Sequence, residues 1–322
     1  MSMFKAIGGG LRMGLVSWRI ATILWLGALM LALPWAVFLE ESIHEYIGSS
    51  LVHESLRGPM DLAWLEEFKD ETGGLSSWVT PSRLAPAAVL DNIELWFSGD
   101  LFAESKALGA LAIVVALFWT LMSGGVLAHL NRAEEHGDAV PFLAASGRYF
   151  FRFLRLVLGA GLAYYFKYRF SLWLFPKIEH ATRDVTVERT ILIYNLVAAG
   201  VVIFLLVLVR VCVDYAKIST VVEERRSMVM AGLRGVQFVV THPVRTLGVY
   251  LVMGALGLLL AALYYFVSPG PAGSGMGLIV LALILGQLYL LLRWVLRISL
   301  LGAESTVYRE ASGFMRSESS RS

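Results

Sequence analysis

Six apolar runs, each about 20 residues long, constrain the fold of this chain more than any other feature. A helix of about 20 residues is long enough to cross a hydrocarbon core about 30 Å thick. The runs are continuous and lack period-two alternation, so helices are predicted and barrel strands are not. They cover approximately residues 16–39, 108–127, 151–168, 191–213, 247–267 and 278–300. The sequence therefore predicts an all-α, polytopic membrane bundle with six transmembrane helices.

The composition excludes a soluble domain of this length. Of the 322 residues, 57% are hydrophobic and 16% are charged, and the mean hydropathy is +0.68. Soluble domains are about 25% charged. The first apolar run is far longer than the apolar region of a secretory signal peptide and shows no convincing cleavage site, so we expect it to be retained.

The distribution of Lys and Arg predicts the orientation of the spans. If both termini lie on one side, that side holds 18 of the 27 basic residues but 9 of the 25 acidic residues. The positive-inside rule places it in the cytoplasm. We therefore expect a protein of the bacterial cytoplasmic (inner) membrane with both termini cytoplasmic. Topology accounts for the basic residues, so no nucleic-acid partner is predicted.

This topology divides the chain into four segments. They are a cytoplasmic tail with the first transmembrane helix (1–39), an acidic helical extracytoplasmic cap (40–106), a five-helix membrane region (107–303) and a cytoplasmic tail (304–322). Two connections in the membrane region, 131–148 and 214–245, lead into apolar and basic helices that we expect in the cytoplasmic interface. Both end in Arg-x-Leu followed by Gly-Ala, which indicates either two related units or convergent composition.

Small residues at helical spacings predict where the spans pack closely. Three such faces are formed by small residues, namely Gly159 with Ala163, Ala198 to Gly200, and Gly254 with Gly257 and Ala261. We expect these faces to point toward the interior of the bundle.

A stripe of charged residues continues from the fourth span into the connection that follows it. On a helix, Arg210, Asp214, Lys217 and Glu224 share one face. Arg210 lies about one turn inside the hydrocarbon boundary, where an unpaired charge costs about 2.5–3.5 kcal/mol. We therefore expect it to pair with Asp214.

The last span carries two further cations at a comparable depth, Arg293 and Arg297, and Asp214 is the predicted counter-ion for them as well. The network has three possible roles. It could lock two spans together, form a pocket for an anionic lipid headgroup or phosphate, or belong to a proton or ion path. A path needs polar groups near the membrane midplane, for which Asn195 and Gln287 are the candidates.

Lys167 and Arg169 lie among aromatic residues at the outer end of the third span. This pattern is typical of the interfacial aromatic belt with snorkelling cations. Recognition of an outer-leaflet lipid headgroup is the alternative.

Motifs of catalytic and metal sites are missing from the sequence. It has no nucleophile elbow, phosphate loop or dinucleotide fingerprint. Neither His44-Glu45 nor His53-Glu54 has the second histidine of a zinc peptidase. Cys212 is the single cysteine, which excludes an intrachain disulfide. We predict no catalytic residue, no metal site and no cofactor.

A family resemblance is carried by two segments, GGVLAHLNRAEEHGDAVPFLAASGRYFFRFLRL and VRVCVDYAKISTVVEERRSMVMAGLRGVQFVVTHPVRTLGVYL. They resemble bacterial multi-helix membrane proteins related to the membrane domain of glycerophosphodiester phosphodiesterases. The Asp-Tyr-Ala-Lys run before a basic amphipathic helix carries the resemblance, which covers about residues 124–300. Those enzymes have a separate soluble catalytic barrel, whereas spans and cap take up this chain. The resemblance therefore implies a membrane bundle and does not imply hydrolysis.

These features favour a non-enzymatic scaffold or accessory subunit that organises membrane lipids or a membrane protein partner. The first alternative is a transporter or lipid-handling protein, with a cavity that reaches the midplane and is lined by Arg210, Asp214, Arg293 and Arg297. The second is a membrane-embedded enzyme. It would need carboxylates or histidines converging at one interface.

Overall fold

The computed structural model describes residues 3–49, 106–131, 139–183, 185, 187–269 and 276–313. All regular secondary structure in these ranges is helical. The helices are α1 (Met3–Val16), α2 (Trp18–Ser49), α3 (Lys106–Asn131), α4 (Ala139–Thr182), α5 (Glu188–Val222), α6 (Met228–Thr241), α7 (Pro243–Val267) and α8 (Met276–Ala311). The predicted all-α class is confirmed.

Five of these helices, α2, α3, α5, α7 and α8, are long and apolar enough to cross a membrane. Each corresponds to one of the predicted apolar runs, and the chain is a helical membrane protein. The remaining run, residues 151–168, lies within α4. Arg152, Arg155 and Lys167 make this part of α4 less apolar than the five.

The predicted cap lies outside the described residues except at its ends. Residues 40–49 continue α2 as helix, and Lys106 begins α3. The cap therefore stays a prediction.

The chain divides into two compact units. Unit 1 comprises residues 1–16, 119–253 and 298–322, and unit 2 comprises residues 17–118 and 254–297. One boundary between the units falls between α1 and α2, and the other three fall inside α3, α7 and α8. Unit 1 contains the charged stripe of α5 together with α4 and α6.

Helices of unit 1 cross closely at glycine residues. A Cβ atom added to Gly235 of α6 would lie 2.5 Å from the Cys212 carbonyl oxygen and 2.8 Å from the Ala216 nitrogen on α5. A Cβ atom added to Gly10 of α1 would lie 2.5 Å from the carbonyl oxygen of Ser299 on α8. Because glycine has no side chain, the backbones can approach this closely. These crossings set the positions of α6 on α5 and of α1 on α8.

The glycines expected to face the bundle interior do not lie at such crossings. A Cβ atom on Gly159, Gly200, Gly254 or Gly257 would have no described atom of another element within 4 Å. The expectation that these faces point inward fails at these four glycines, whereas Ala198 and Ala261 of the same faces are buried. Small residues permit a close crossing, but a crossing also requires a second helix over the same face.

Unit 2 is held in part by contacts to the first half of α8. The indole N–H of Trp25 on α2 donates a hydrogen bond to Gln287 Oε1 at 2.9 Å. Tyr264 of α7 stacks on Tyr289 of α8 with ring centroids 4.6 Å apart. These contacts join α2, α7 and α8.

Replacing Trp25 by Phe should lower the melting temperature of the detergent-solubilised chain by about 2–4 °C. The substitution removes the indole donor and leaves the part-buried Gln287 carbonyl without it, which costs about 1 kcal/mol. Thermal unfolding followed by circular dichroism checks this. A double variant with Gln287→Met removes both partners and should recover part of the loss; a single variant as stable as the wild type would contradict the prediction.

Candidate functional site

The last third of α5 is the buried centre of unit 1. Residues 214–221 are all buried. They include Asp214 and Lys217, whose exposed fractions are 1% and 2%. Charged side chains buried to this extent need partners that compensate for the loss of water.

Arg210 and Asp214 form an ion pair on successive turns of α5. Arg210 Nε lies 3.4 Å from Asp214 Oδ2, and the arginine side chain is 30% exposed. Tyr164 of α4 and Tyr250 of α7 lie near enough to interact electrostatically with the same guanidinium group. The pair therefore connects α5 to polar groups of two other helices.

Lys217 has a different environment, because its ammonium nitrogen lies over an aromatic ring. Its Nζ atom is 5.6 Å from the centroid of the Phe153 ring on α4. The lysine also interacts electrostatically with Asp214. A cation–π contact in a desolvated site stabilises the ammonium group, so α4 and α5 share this charge.

Glu224 does not belong to the buried stripe. α5 ends at Val222, and Glu224 adopts a left-handed backbone conformation with φ of 48°. The Arg225 N–H donates to the Thr220 carbonyl oxygen at 3.1 Å, which closes the helix end. The chain thus turns before Glu224, whose carboxylate is exposed and pairs with Arg148 of α4 at 3.1 Å.

The other candidate residues lie elsewhere. Arg293 is exposed and Arg297 is half-buried, and both belong to unit 2. Their pairing with Asp214 stays a prediction. Asn195 is exposed on α5, and Gln287 accepts the hydrogen bond from Trp25.

The two outer candidates lie on α4. Lys167 is half-buried and Arg169 is exposed, and the neighbouring Tyr165, Phe166 and Trp173 are exposed aromatic side chains. Exposed aromatic rings beside snorkelling cations are typical of a membrane interface. A contact with a lipid headgroup at this position stays a prediction.

Glu304 is a buried acid that the sequence analysis did not single out. It is 0% exposed, and neither carboxylate oxygen has a hydrogen-bond partner in the described ranges. Glu304 interacts electrostatically with Asp214 and Arg210. The sequence predicts a tail at residues 304–322, but α8 continues to Ala311 and residues 298–308 are buried. Gly302 and Ala303, which follow the last apolar run, were the signal for a close helix crossing here.

An aromatic cluster joins the ends of α5, α6 and α8 beside these charges. The Tyr215 ring lies 4.9 Å from Phe238 of α6, and Phe238 lies 4.8 Å from Tyr308 of α8. The Tyr308 hydroxyl donates to Glu223 Oε1 at 2.5 Å. The three helix ends are therefore fixed together by packed rings.

Helix α6 has three distinct faces. It begins after Ser227, whose hydroxyl caps the helix by accepting from the Met230 N–H at 3.5 Å. One face is buried and consists of Met228, Ala231, Gly235 and Val239. A second face is apolar and exposed and consists of Val229, Leu233, Val236 and Val240, which we call the α6 apolar stripe. The third face is polar and includes the exposed Arg234 and Gln237.

This arrangement is typical of a helix in a membrane interface. One face packs on protein, an apolar face is free to enter the acyl layer, and a basic face meets headgroups and water. Only His242 separates α6 from α7, a candidate membrane span that begins at Pro243. The end of α6 is therefore tied to a helix that can cross the membrane.

In the described part of the chain, no three His, Cys, Asp or Glu side chains converge to hold a metal ion. Two functional features remain. One is a charge cluster of α5 and α8, formed by Arg210, Asp214, Lys217 and Glu304, and the other is the α6 apolar stripe. No protein-family model, curated protein or solved structure gives a significant match to the chain.

Proposed function

We propose that this chain is a non-enzymatic protein of the bacterial inner membrane that organises lipids or partner proteins at the cytoplasmic face, as a scaffold or accessory subunit. The observation that carries the proposal is the α6 apolar stripe, which is exposed beside a polar face with Arg234 on a helix that directly precedes the candidate span α7.

The energetics favour a lipid environment for this stripe. Fully burying one Val or Leu side chain contributes about 1.5–3 kcal/mol, and the stripe holds Val229, Leu233, Val236 and Val240. Each basic residue near an anionic surface contributes about 1 kcal/mol. Arg226 just before α6, Arg234 on α6 and Arg245 at the start of α7 are exposed and available for such contacts. Lipids with anionic headgroups are therefore the proposed ligands.

Retention of anionic lipid tests this proposal. In bilayer nanodiscs containing phosphatidylglycerol and phosphatidylcholine, the wild type should retain phosphatidylglycerol preferentially after detergent extraction, as measured by native mass spectrometry. The variant with Arg226→Gln and Arg234→Gln should lower this preference by about thirtyfold. A matched variant with Lys167→Gln and Arg169→Gln, on the opposite predicted side, should retain it. Equal preference in the wild type and the α6 variant would contradict the proposal.

The proposed topology has six spans, with residues 151–168 of α4 as the third span and residues 40–106 as the extracytoplasmic cap. α4 has 44 residues and extends about 66 Å, longer than a hydrocarbon core. Phe151, Leu158 and Leu162 are exposed along this part of α4, as lipid-facing side chains would be.

The number of spans can be tested by parity, because an even number places both termini on one side. Fusions of green fluorescent protein and of alkaline phosphatase to each end should give fluorescence and no phosphatase activity at both ends. Phosphatase activity at one end alone would support five spans and reject the proposed topology.

The burial of the charge cluster supports a structural role over the transporter alternative. A transporter or lipid-handling protein would need a cavity that reaches the charged residues from the midplane. Asp214 and Lys217 are almost completely buried and have side-chain partners on α4 and α5. These contacts favour a lock between helices.

A further inference from the structure

Glu304 on α8 is a buried carboxyl group with unused hydrogen-bonding capacity. Its side chain is 0% exposed, and within the described residues Oε1 and Oε2 have no hydrogen-bond partner. An ionised carboxylate that is buried without compensation costs several kcal/mol, so such a group is normally neutralised or bound to a ligand. The Glu304 carboxylate therefore needs a group that neutralises its charge.

The Tyr215 hydroxyl on α5 lies in the same region. The tyrosine is 0% exposed, and its hydroxyl oxygen has no hydrogen-bond partner in the part of the chain that the structure describes. The Tyr215 ring lies 6.4 Å from the ring of Tyr308, which follows Glu304 by about one turn of α8. Two oxygen-bearing groups from different helices thus share one buried environment, and the oxygen atoms of both can still bind a ligand.

The two cations of this region have other partners. Arg210 pairs with Asp214 at 3.4 Å, and the Lys217 ammonium lies over the Phe153 ring. Asp214 also acts on Glu304, and because both are acids, it raises the negative potential there. The positive charge that would best compensate Glu304 therefore has to come from a ligand.

Besides Asp214 and Arg210, the described groups of other helices that act on Glu304 are tyrosines. Tyr250 of α7 interacts electrostatically with Glu304 as a neutral phenol, and Tyr164 of α4 acts on Arg210. α1 meets α8 through Gly10 and Met13, which are uncharged. Among the described groups that act on Glu304, Arg210 is the cation, and it is shared with Asp214.

We propose that Glu304 and the Tyr215 hydroxyl form an internal binding site for one monovalent cation, taken up either as a proton or as an alkali-metal ion. Carboxylate and hydroxyl oxygens are the ligands that hard cations prefer. A proton on Glu304 removes the same negative charge and gives the carboxyl group a donor. In both cases one positive charge is delivered to a buried carboxyl group at the meeting point of α5 and α8.

The test measures the melting temperature of the full chain in detergent in two series. In the first, the pH is lowered at constant salt. In the second, NaCl or KCl replaces choline chloride at constant pH and ionic strength. A ligand that binds only the folded protein stabilises it in proportion to the logarithm of its concentration. We expect the wild type to gain about 2–4 °C for each tenfold rise in proton or alkali-ion concentration. The series in which the melting temperature rises identifies the ligand.

Two neutral variants, Glu304→Gln and Glu304→Leu, show whether the response comes from this site. The melting temperature of whichever variant folds should stay constant in the series in which the melting temperature of the wild type rises. Tyr215→Phe should weaken a response to alkali ions and leave a response to protons. Glu179→Gln, an exposed position on α4, is the matched control and should respond as the wild type does. A wild type that responds in neither series, or a Glu304 variant that responds as the wild type does, would overturn the proposal.

Discussion

Replacing Asp214 by Leu should lower the free energy of unfolding by about 3 kcal/mol. Arg210 would keep its charge and lose the carboxylate that lies 3.4 Å from it. Breaking a buried ion pair from one side costs about 3–5 kcal/mol, and the 30% exposure of the arginine side chain places this pair at the lower end. Lys217 would lose electrostatic stabilisation as well. The change should be seen as a lower midpoint in unfolding of the detergent-solubilised protein by sodium dodecyl sulfate.

Two matched variants separate charge from packing at this position. Asp214→Asn keeps the shape and a hydrogen-bond acceptor, so its loss should be smaller. Asp214→Leu combined with Arg210→Met removes both charges and should recover much of the stability, because an apolar pair leaves no unpaired ion. If the leucine variant unfolds at the wild-type midpoint, the ion pair contributes nothing to stability and the structural role of Asp214 is rejected.

Replacing Gly235 by Val should separate α6 from α5 and destabilise the chain by about 3 kcal/mol or more. The first carbon of any side chain here would meet the Cys212 carbonyl oxygen at 2.5 Å and the Ala216 nitrogen at 2.8 Å. Both are backbone atoms of a helix, so neither can move aside as a flexible side chain would. The expected measurement is a lower melting temperature together with weaker retention of anionic lipid, because α6 carries the apolar stripe.

Gly232 of the same helix is the matched control. A Cβ atom there would have Leu156 Cδ1 at 3.9 Å as its nearest neighbour, which is ordinary contact. Gly232→Ala should be neutral or stabilise the helix by about 0.5–1 kcal/mol, because alanine is the better helix former. Similar losses for Gly232→Ala and Gly235→Val would show that the close crossing does not matter.

The fold could be predicted where one physical requirement acts on a continuous stretch of sequence. A helix that crosses a membrane must be apolar along its length, so the runs that became α2, α3, α5, α7 and α8 are visible in the sequence. Arg210 and Asp214 could be paired from their spacing, because residues four apart on a helix are neighbours.

The rest of the site depends on contacts between distant segments, which the sequence does not encode as a local pattern. Glu304 becomes a buried acid because α8 continues beyond the apolar run and packs within unit 1. The sequence does not show where α5 ends, because the left-handed residue after the helix is Glu224. Glycine is the usual residue at such a position and would have indicated the helix end. Small residues alone did not show which helix faces have a neighbour.

The measurement that tests the central claim most directly is the membrane depth of α6. In a Cys212→Ser background, a nitroxide label is placed at Leu233→Cys on the apolar stripe or at the adjacent Arg234→Cys on the polar face, in lipid bilayers. Electron paramagnetic resonance then compares accessibility to oxygen, which concentrates in lipid, with accessibility to a water-soluble nickel chelate. The label at position 233 should be accessible to oxygen and shielded from nickel, and the label at 234 should show the reverse. Equal exposure of both labels to nickel would place α6 in water and contradict a role in binding the membrane surface.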